Sequence, residues 1–112
     1  MDLEHYKREA ELIRDNETYR VFDLDTLEDL NLSFTELKPG KSTTGHSHEE
    51  ADEVYMFISG KGEMEIGEKK EKVKKGDVFL IPEGYFHRVR NNGWRTLKFW
   101  SVFEKYEGRG LK

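Results

Sequence analysis

Short segments of alternating hydrophobicity fill the chain from Tyr19 onward and limit its fold most strongly. Within each segment apolar and polar residues alternate, which is typical of a strand with one buried face. Gly, Pro, Asn and Asp residues mark turns between the segments. Strands this short, separated this regularly, predict an all-β fold, either a sandwich or a barrel. The predicted strands are YRVFDL, LNLSFTEL, EVYMFIS, EMEIG, VFLI, HRVR and TLKFWSVFE.

The N-terminal end has a different pattern. Apolar residues recur at helical spacing within the first fourteen positions, at Leu3, Tyr6, Ala10 and Ile13. Asp2 is a candidate N-cap for this helix. Because so short a helix is marginal alone, we expect it to pack on the main body or on a second copy of the chain. The sequence thus divides into an N-terminal helix or arm (1–18), a β-barrel (19–105) and a loose C-terminal tail (106–112).

Length and composition restrict the class of protein. The 112 residues are 35% hydrophobic and 12% aromatic, which indicates one globular domain although 38% are charged. The absence of Cys excludes disulfides, zinc fingers and thiol catalysis. The apolar runs are far shorter than a membrane span and no signal-peptide pattern occurs, so we expect a cytoplasmic protein with no membrane partner. The lack of Gln and abundance of Lys and Glu are typical of proteins from hot habitats.

The charge pattern does not favour nucleic-acid binding. The formal net charge is −4, with acidic and basic residues interspersed along the chain. Lysines cluster between residues 69 and 75, but Glu68 and Glu71 interrupt them. Binding to the phosphate backbone of a nucleic acid needs an unopposed basic surface. We therefore interpret this stretch as a solvated hairpin and expect no nucleic-acid partner.

Three histidines and one glutamate are candidate metal ligands. In GHSHEEADE, His46 and His48 lie two residues apart and share a strand face. Glu53 has the parity of the inward-facing aromatic residues that follow it, and a buried carboxylate is costly unless it is paired or bound to metal. His87 follows a tight Pro-Glu-Gly turn. Taken alone, each of these residues is explained as well by an ordinary surface or core position as by a metal-binding role. Together they suit one divalent metal such as Mn, Fe, Co, Ni, Cu or Zn, with open positions for water or substrate.

The spacing of these residues resembles the paired motifs of the cupin superfamily. The first is G-x5-H-x-H-x4-E-x6-G from Gly40 to Gly60, and the second is G-x5-P-x-G-x2-H-x3-N from Gly76 to Asn91. The resemblance implies a cupin-type jelly-roll β-barrel. It implies metal ligands at His46, His48, Glu53 and His87, turn glycines at Gly60, Gly76 and Gly84, a turn fixed by Pro82, and a structural Asn91. His5 matches neither motif and is interpreted as a surface residue.

A closer resemblance, covering part of the chain, is to the archaeal cupin-type phosphoglucose isomerases. The segments TTGHSH, EVYMFISGKGEM and GDVFLIPEGYFHRVRNNG carry it. It implies that Thr43, Thr44 and Gly45 contact a substrate phosphate, and that Glu53, with Tyr55 as a second catalytic candidate, moves a proton between C1 and C2. That family's tyrosine after the third histidine corresponds to Phe103 here, although Tyr106 follows closely. The best hypothesis is therefore a metal-dependent, sugar-phosphate isomerase-like enzyme.

Two other classes remain open. One is a metal-dependent dioxygenase or decarboxylase of a small enol or carboxylic acid, which open metal positions and an aromatic lining from Tyr55, Phe57 and Phe86 would suit. The other is a non-catalytic module that binds a small ligand. By alternation from His87, the side chains of Arg88 and Arg90 face outward, where they would form surface ion pairs.

The outward-facing residues also predict a homodimer. Apolar or largely apolar rows have outward parity on two strands, at Val54, Met56 and Ile58 and at Lys98, Trp100 and Val102. Outward apolar rows of this kind usually mark an interface. The N-terminal arm is the natural strap across it.

Overall fold

The structure, a computed structural model, describes residues 1–45, 47 and 51–105. One short helix precedes nine strands in this part of the chain. These elements are α1 (Leu3–Glu9), β1 (Glu11–Asp15), β2 (Tyr19–Leu24), β3 (Leu30–Leu37), β4 (Glu53–Ser59), β5 (Lys61–Ile66), β6 (Lys69–Lys74), β7 (Val78–Ile81), β8 (His87–Arg90) and β9 (Leu97–Glu104). The predicted strands are confirmed.

The strands form two antiparallel sheets. The larger sheet has the order β1-β2-β3-β9-β4-β7 and the smaller has the order β6-β5-β8. This two-sheet, all-β architecture agrees with the expected jelly roll. The lysine-rich stretch forms β6, which is exposed except for Val73 and pairs with β5, as expected of a solvated hairpin.

Apolar side chains from both sheets fill the space between them. Burial alternates along β4 and β9, because every second side chain faces the smaller sheet. The residues of this core are Leu37, Tyr55, Phe57, Met64, Val73, Ile81, Val89, Leu97 and Phe99. Glu53 has the same inward parity, so the predicted burial of its carboxylate is confirmed at 3% exposure.

A second apolar cluster lies on the outer face of the larger sheet, under α1. Tyr6 is 1% exposed and packs with Phe22, Phe34 and Trp100, and the Tyr6 and Trp100 rings meet edge to face at 4.7 Å. The Tyr6 hydroxyl contacts two backbone carbonyls, Phe22 O at 2.9 Å and Leu32 O at 2.6 Å. The helix was expected to pack on the main body or on a second copy of the chain, and in the structure it packs on the main body of its own chain.

The helix is shorter than predicted. Helical spacing extended the helix to residue 14, but α1 ends at Glu9 and Ala10 is extended. The next residues form β1, which pairs with β2, and the register shifts between Leu12 and Arg14. Pairing with the sheet edge supplies backbone hydrogen bonds that an isolated last turn would lack. Residues 1–18, expected as an arm, therefore contribute a strand to the larger sheet. His5 is exposed on α1, as predicted, 3.6 Å from Glu9.

The predicted turn glycines have the backbone that requires glycine. Gly60, Gly76 and Gly84 have φ values of 92°, 94° and 85°. Gly60 is restricted further, since a Cβ there would lie 2.7 Å from the Thr96 carbonyl oxygen. Among the residues that the structure describes, no helix has the length and apolar character needed to cross a membrane.

Candidate metal centre

Glu53 and His87 meet inside the sandwich although they belong to different sheets. Glu53 is the first residue of β4, where it pairs with Ile81 and Phe103 of the larger sheet. His87 is the first residue of β8, where it pairs with Ile66 of the smaller sheet. Glu53 Oε1 lies 3.2 Å from His87 Nε2, and the two side chains are 3% and 1% exposed. Two predicted ligands are therefore adjacent and buried.

The second ring nitrogen of His87 fixes its orientation. Nδ1 lies 3.1 Å from the Tyr85 carbonyl oxygen. Because a carbonyl can only accept a hydrogen bond, Nδ1 carries the proton in this contact. Nε2 is then the ring nitrogen that faces the Glu53 carboxylate. Metal-binding histidines are commonly oriented in this way, with the ring N–H that does not bind the metal donating to a backbone carbonyl.

Residues 40–45 run antiparallel along β8 towards His87. Gly40 N donates to Asn91 O, Asn91 N donates to Lys41 O, and Thr43 N donates to Val89 O, each at 2.8–2.9 Å. Val89 N in turn donates to the Thr43 hydroxyl at 2.9 Å. The segment ends at Gly45, which directly precedes His46 in the sequence and lies against Phe86, which directly precedes His87.

The remaining predicted ligands, His46 and His48, lie outside the described residues, so the four-ligand site stays a prediction. Within residues 1–45, 47 and 51–105, no three His, Asp or Glu residues group closely enough to hold a metal ion. Glu53 and His87 nevertheless fit half of such a site, because one carboxylate and one imidazole are donors that borderline divalent metals accept.

Aromatic rings support the buried pair. The Tyr55 ring lies edge to face against His87 at 5.6 Å and stacks on Phe99 at 5.5 Å. Phe57 is deeper in the core, 1% exposed, and packs on Phe79 and Phe99. These contacts hold Tyr55 beside the site, while Phe57 supports Tyr55 from below. Their predicted roles in catalysis and substrate binding stay predictions.

The other predicted substrate contacts lie around Gly45. The Thr43 hydroxyl accepts a hydrogen bond from Val89 N, whereas the Thr44 side chain is exposed. Phe86 is 37% exposed, and its ring occupies the space that a Cβ on Gly45 would need. The ring also lies 5.6 Å from the Arg88 guanidinium. Gly45 and Phe86 therefore form a contact between the two segments that carry predicted ligands.

Two outward or structural predictions are confirmed. Arg88 donates to both carboxylate oxygens of Glu65 at 2.8 and 3.2 Å, the surface ion pair expected there. Hydrogen bonding from Arg88 is the main cause that lowers the pKa of Glu65. Asn91 is fully buried; its Nδ2 donates to Leu37 O and Arg95 O, and its Oδ1 accepts from Gly93 N. Its role is structural, as expected.

Sequence reasoning missed the polar residues on the inner face of β3 and β9. Asn31, Ser33 and Ser101 are all 7% exposed or less. Ser101 has the same inward parity as Phe99 and Phe103, which could have revealed it. On β3, polar and apolar residues alternate, and this pattern alone does not tell which of the two sets faces the core. Phe103, noted from sequence, pairs directly with Glu53.

A two-sheet jelly roll with a buried carboxylate–imidazole pair between its sheets defines the class of protein. Residues 33–103 match the model of the cupin domain family, and the chain belongs to that family. This match confirms the resemblance identified from the paired motifs.

Known relatives span several activities. The chain is 33% identical over 101 residues to a glucose-6-phosphate isomerase of Pyrococcus abyssi, covering 76% of this chain and 53% of the isomerase. It is 28% identical over 95 residues to an acireductone dioxygenase of Gallus gallus, covering 79% and 52%. A crystal structure of a predicted oxalate decarboxylase from Thermotoga maritima superimposes with a TM-score of 0.70 at 25% identity, covering 87% and 92%. The chain spans only 32–56% of the length of the first curated relatives it matches.

Proposed function

We propose that the chain is a metal-dependent enzyme of the sugar-phosphate isomerase type. One divalent transition metal would be held by His46, His48, Glu53 and His87. The observation that carries the proposal is the buried Glu53–His87 pair, 3.2 Å apart, with His87 oriented by the Tyr85 carbonyl. The isomerase of Pyrococcus abyssi supports this reaction, since it is 33% identical to the chain where the acireductone dioxygenase is 28% identical.

Each residue near the pair has a defined part in the proposal. A bound divalent metal would polarise the substrate oxygens at the reacting carbons. Glu53 would accept the proton from one carbon and return it to the neighbouring carbon. Tyr55 keeps the His87 ring in place, and the apolar core beneath it excludes bulk water. Thr44 and the Gly45 backbone N–H, at the end of the segment beside β8, would contact the phosphate.

The test is turnover of fructose 6-phosphate by protein supplied with Mn, Fe or Ni. The proposal expects a weak but measurable rate that Glu53→Gln abolishes while leaving the fold intact. The matched control is Glu83→Gln, which changes an exposed glutamate on the turn before His87. A rate that is equal in wild type and Glu53→Gln would contradict the assigned role of Glu53.

A dioxygenase or decarboxylase of a small enol or carboxylic acid is the second candidate. The stacked rings of Tyr55 and Phe99 favour it, since they give the site a planar, apolar wall beside the buried pair. The relatives with these two chemistries support it as well. Oxygen uptake or CO₂ release with a panel of small enols and dicarboxylic acids, without isomerisation, would select this candidate. Tight metal binding with neither activity would favour a non-catalytic ligand-binding module.

The proposed enzyme is a homodimer that uses the outer face of β4, β7 and β9. The helix covers part of the predicted outward rows, because Ile58 and Trp100 pack in the cluster under α1. Beyond α1 an apolar surface continues across register partners, from Val102 through Val54 to Leu80 and from Met56 to Val78. Leu80 and Val78 are 70% and 57% exposed. We infer that a second copy covers this surface, with α1 flanking the interface.

A further inference from the structure

The inner face of β3 is polar at the end that holds Glu53. Asn31 and Ser33 are 4% and 3% exposed, and they alternate with Leu32 and Phe34, which pack under α1 on the opposite face. On β9, Ser101 is 7% exposed and pairs directly with Ser33. Asn31, Ser33 and Ser101 are termed the polar strip. Buried polar groups on an inner sheet face are unusual where the rest of the core is apolar.

Strand register connects the polar strip to the candidate metal centre. Asn31 pairs with Phe103, and Phe103 pairs with Glu53, so these residues share one row of the inner face. In the next row Ser33 pairs with Ser101, which pairs with Tyr55. Neighbouring strands are about 4.8 Å apart, which puts the Asn31 and Glu53 backbones roughly 10 Å from each other. A small molecule held by Glu53 and His87 is therefore within reach of the strip.

The side-chain nitrogen of Asn31 is the feature of the strip that points to a ligand. Its Nδ2 is buried and has no hydrogen-bond partner in the described part of the chain. Asn91 is the contrasting case, since its buried Nδ2 donates to Leu37 O at 2.9 Å and to Arg95 O at 2.7 Å. A buried amide that only supports the fold is normally bonded in this way. The Asn31 amide lacks such bonds, and an oxygen of a bound molecule would supply one.

We propose that the polar strip binds the hydroxyl groups of a polyhydroxylated, sugar-type ligand, with Asn31 Nδ2 donating to a ligand oxygen. This inference rests on the proposed function and names the part of the chain that recognises the carbon skeleton. The amide donates, and the two serine hydroxyls both donate and accept, which matches oxygens on consecutive carbons. A hydrocarbon segment in the same position would leave the buried Asn31 Nδ2 donor unpaired, so the strip selects against it.

The experiment compares two six-carbon phosphates that differ in their hydroxyl groups. The affinities of fructose 6-phosphate and hexyl phosphate are measured by titration calorimetry on protein samples of known metal content. Because both compounds carry a phosphate, its contribution cancels in the ratio of the two affinities. The variants are Asn31→Leu and Ser101→Ala, and the matched control is Ser59→Ala, an exposed serine at the other end of β4.

Wild type is expected to prefer the sugar phosphate, and each strip variant should reduce this preference about ten-fold, the effect of one lost hydrogen bond, whereas Ser59→Ala keeps it. Asn31→Leu should also unfold at a temperature no lower than wild type, since it removes an amide without a partner. Equal affinities in wild type, no binding of either compound, an unchanged preference in Asn31→Leu, or a clear loss of thermal stability in that variant would overturn the proposal. If wild type prefers the sugar phosphate and the strip variants lose this preference, but the protein binds no metal and shows no turnover, the proposed function is rejected. The binding role of the polar strip is then still supported.

Discussion

The carboxylate of Glu53 and the imidazole of His87 lie 3.2 Å apart although their strands belong to different sheets. The pair therefore joins the two halves of the sandwich at one end of the core. Burying both groups has a large desolvation cost, which a cation or a shared proton between them offsets. His46 and His48, the other two predicted ligands, follow Gly45 in the sequence and lie outside the described residues.

Restoring a phenol at position 103 should raise isomerase activity. Phe103 is 2% exposed and lies between Asn31 and Glu53 in one row of the inner face. A hydroxyl there would add a proton donor beside the reacting carbons, and a general acid contributes about 10²–10⁴-fold in rate. We expect Phe103→Tyr to increase turnover of fructose 6-phosphate at least several-fold. The control is Phe99→Tyr, a buried phenol one row further into the core. An increase in the control alone, or in neither variant, would contradict this role.

The contact between Gly45 and Phe86 should position the segment that carries His46. A Cβ on Gly45 would lie 2.5 Å from Phe86 Cε1 and closer still to Cζ. Gly45→Ala must displace either the ring or the segment, so we expect metal affinity to fall about 10–100-fold, as for other residues that support ligands. In a Phe86→Ala background the same substitution should have little effect, because the obstructing ring is gone.

A double-mutant cycle measured by competition with a chelator tests this coupling. Gly93→Ala is the glycine control, since its Cβ would meet neighbours only at 3.5 Å. Equal losses from Gly45→Ala in both backgrounds would show that the Phe86 ring is not the cause.

Tyr6 should make the fold sensitive to alkali. Burial, with a smaller contribution from the Asp23 carboxylate, raises the pKa of Tyr6 well above its ordinary value of 10.0. Above that value the unfolded chain releases the Tyr6 proton while the folded chain keeps it, so the free energy of unfolding falls as pH rises beyond about 10. Tyr6→Phe should lack this part of the decline. At neutral pH the free energy of unfolding of Tyr6→Phe should be about 0.5–1.5 kcal/mol lower than that of wild type, because the variant lacks the hydroxyl that bonds to backbone oxygen.

Denaturant unfolding from pH 7 to 11 measures both effects. Tyr85→Phe is the control, because Tyr85 is 53% exposed. An identical alkaline decline in wild type and Tyr6→Phe would mean that Tyr6 does not cause it.

Charge on the exposed edge strand should separate the proposed dimer. Leu80 is 70% exposed on β7, in register with Val54, at the sheet-edge end of the uncovered apolar surface. We expect wild type to sediment as a dimer at micromolar concentration and Leu80→Lys as a monomer, because the interface would bury an unpaired ammonium group. Leu27→Lys changes a leucine of similar exposure, 61%, in the loop before β3 and should stay dimeric. A wild-type monomer would refute the dimer.

The sequence predicted which side chains are buried on β4 better than it predicted where elements end. The alternation of Glu53 with Tyr55 and Phe57 gave the correct inward face of β4, because a strand has a fixed period of two. The N-terminal pattern was misleading, since Leu12 and Ile13 fit either a helix or a strand and only pairing with β2 decides between them. The polar strip was missed for a related reason: its members pair across strands that are far apart in the sequence, and register is set by the whole sheet.

Metal content measured before and after dialysis against a chelator tests the central claim most directly. Wild type, purified without a histidine tag, should retain close to one divalent transition metal per chain. His46→Ala and His87→Ala should retain little, because each removes an imidazole from the site, while His5→Ala, the exposed histidine on α1, should retain as much as wild type. Equal metal content in wild type, His46→Ala and His87→Ala would contradict the account and place any metal site elsewhere in the chain.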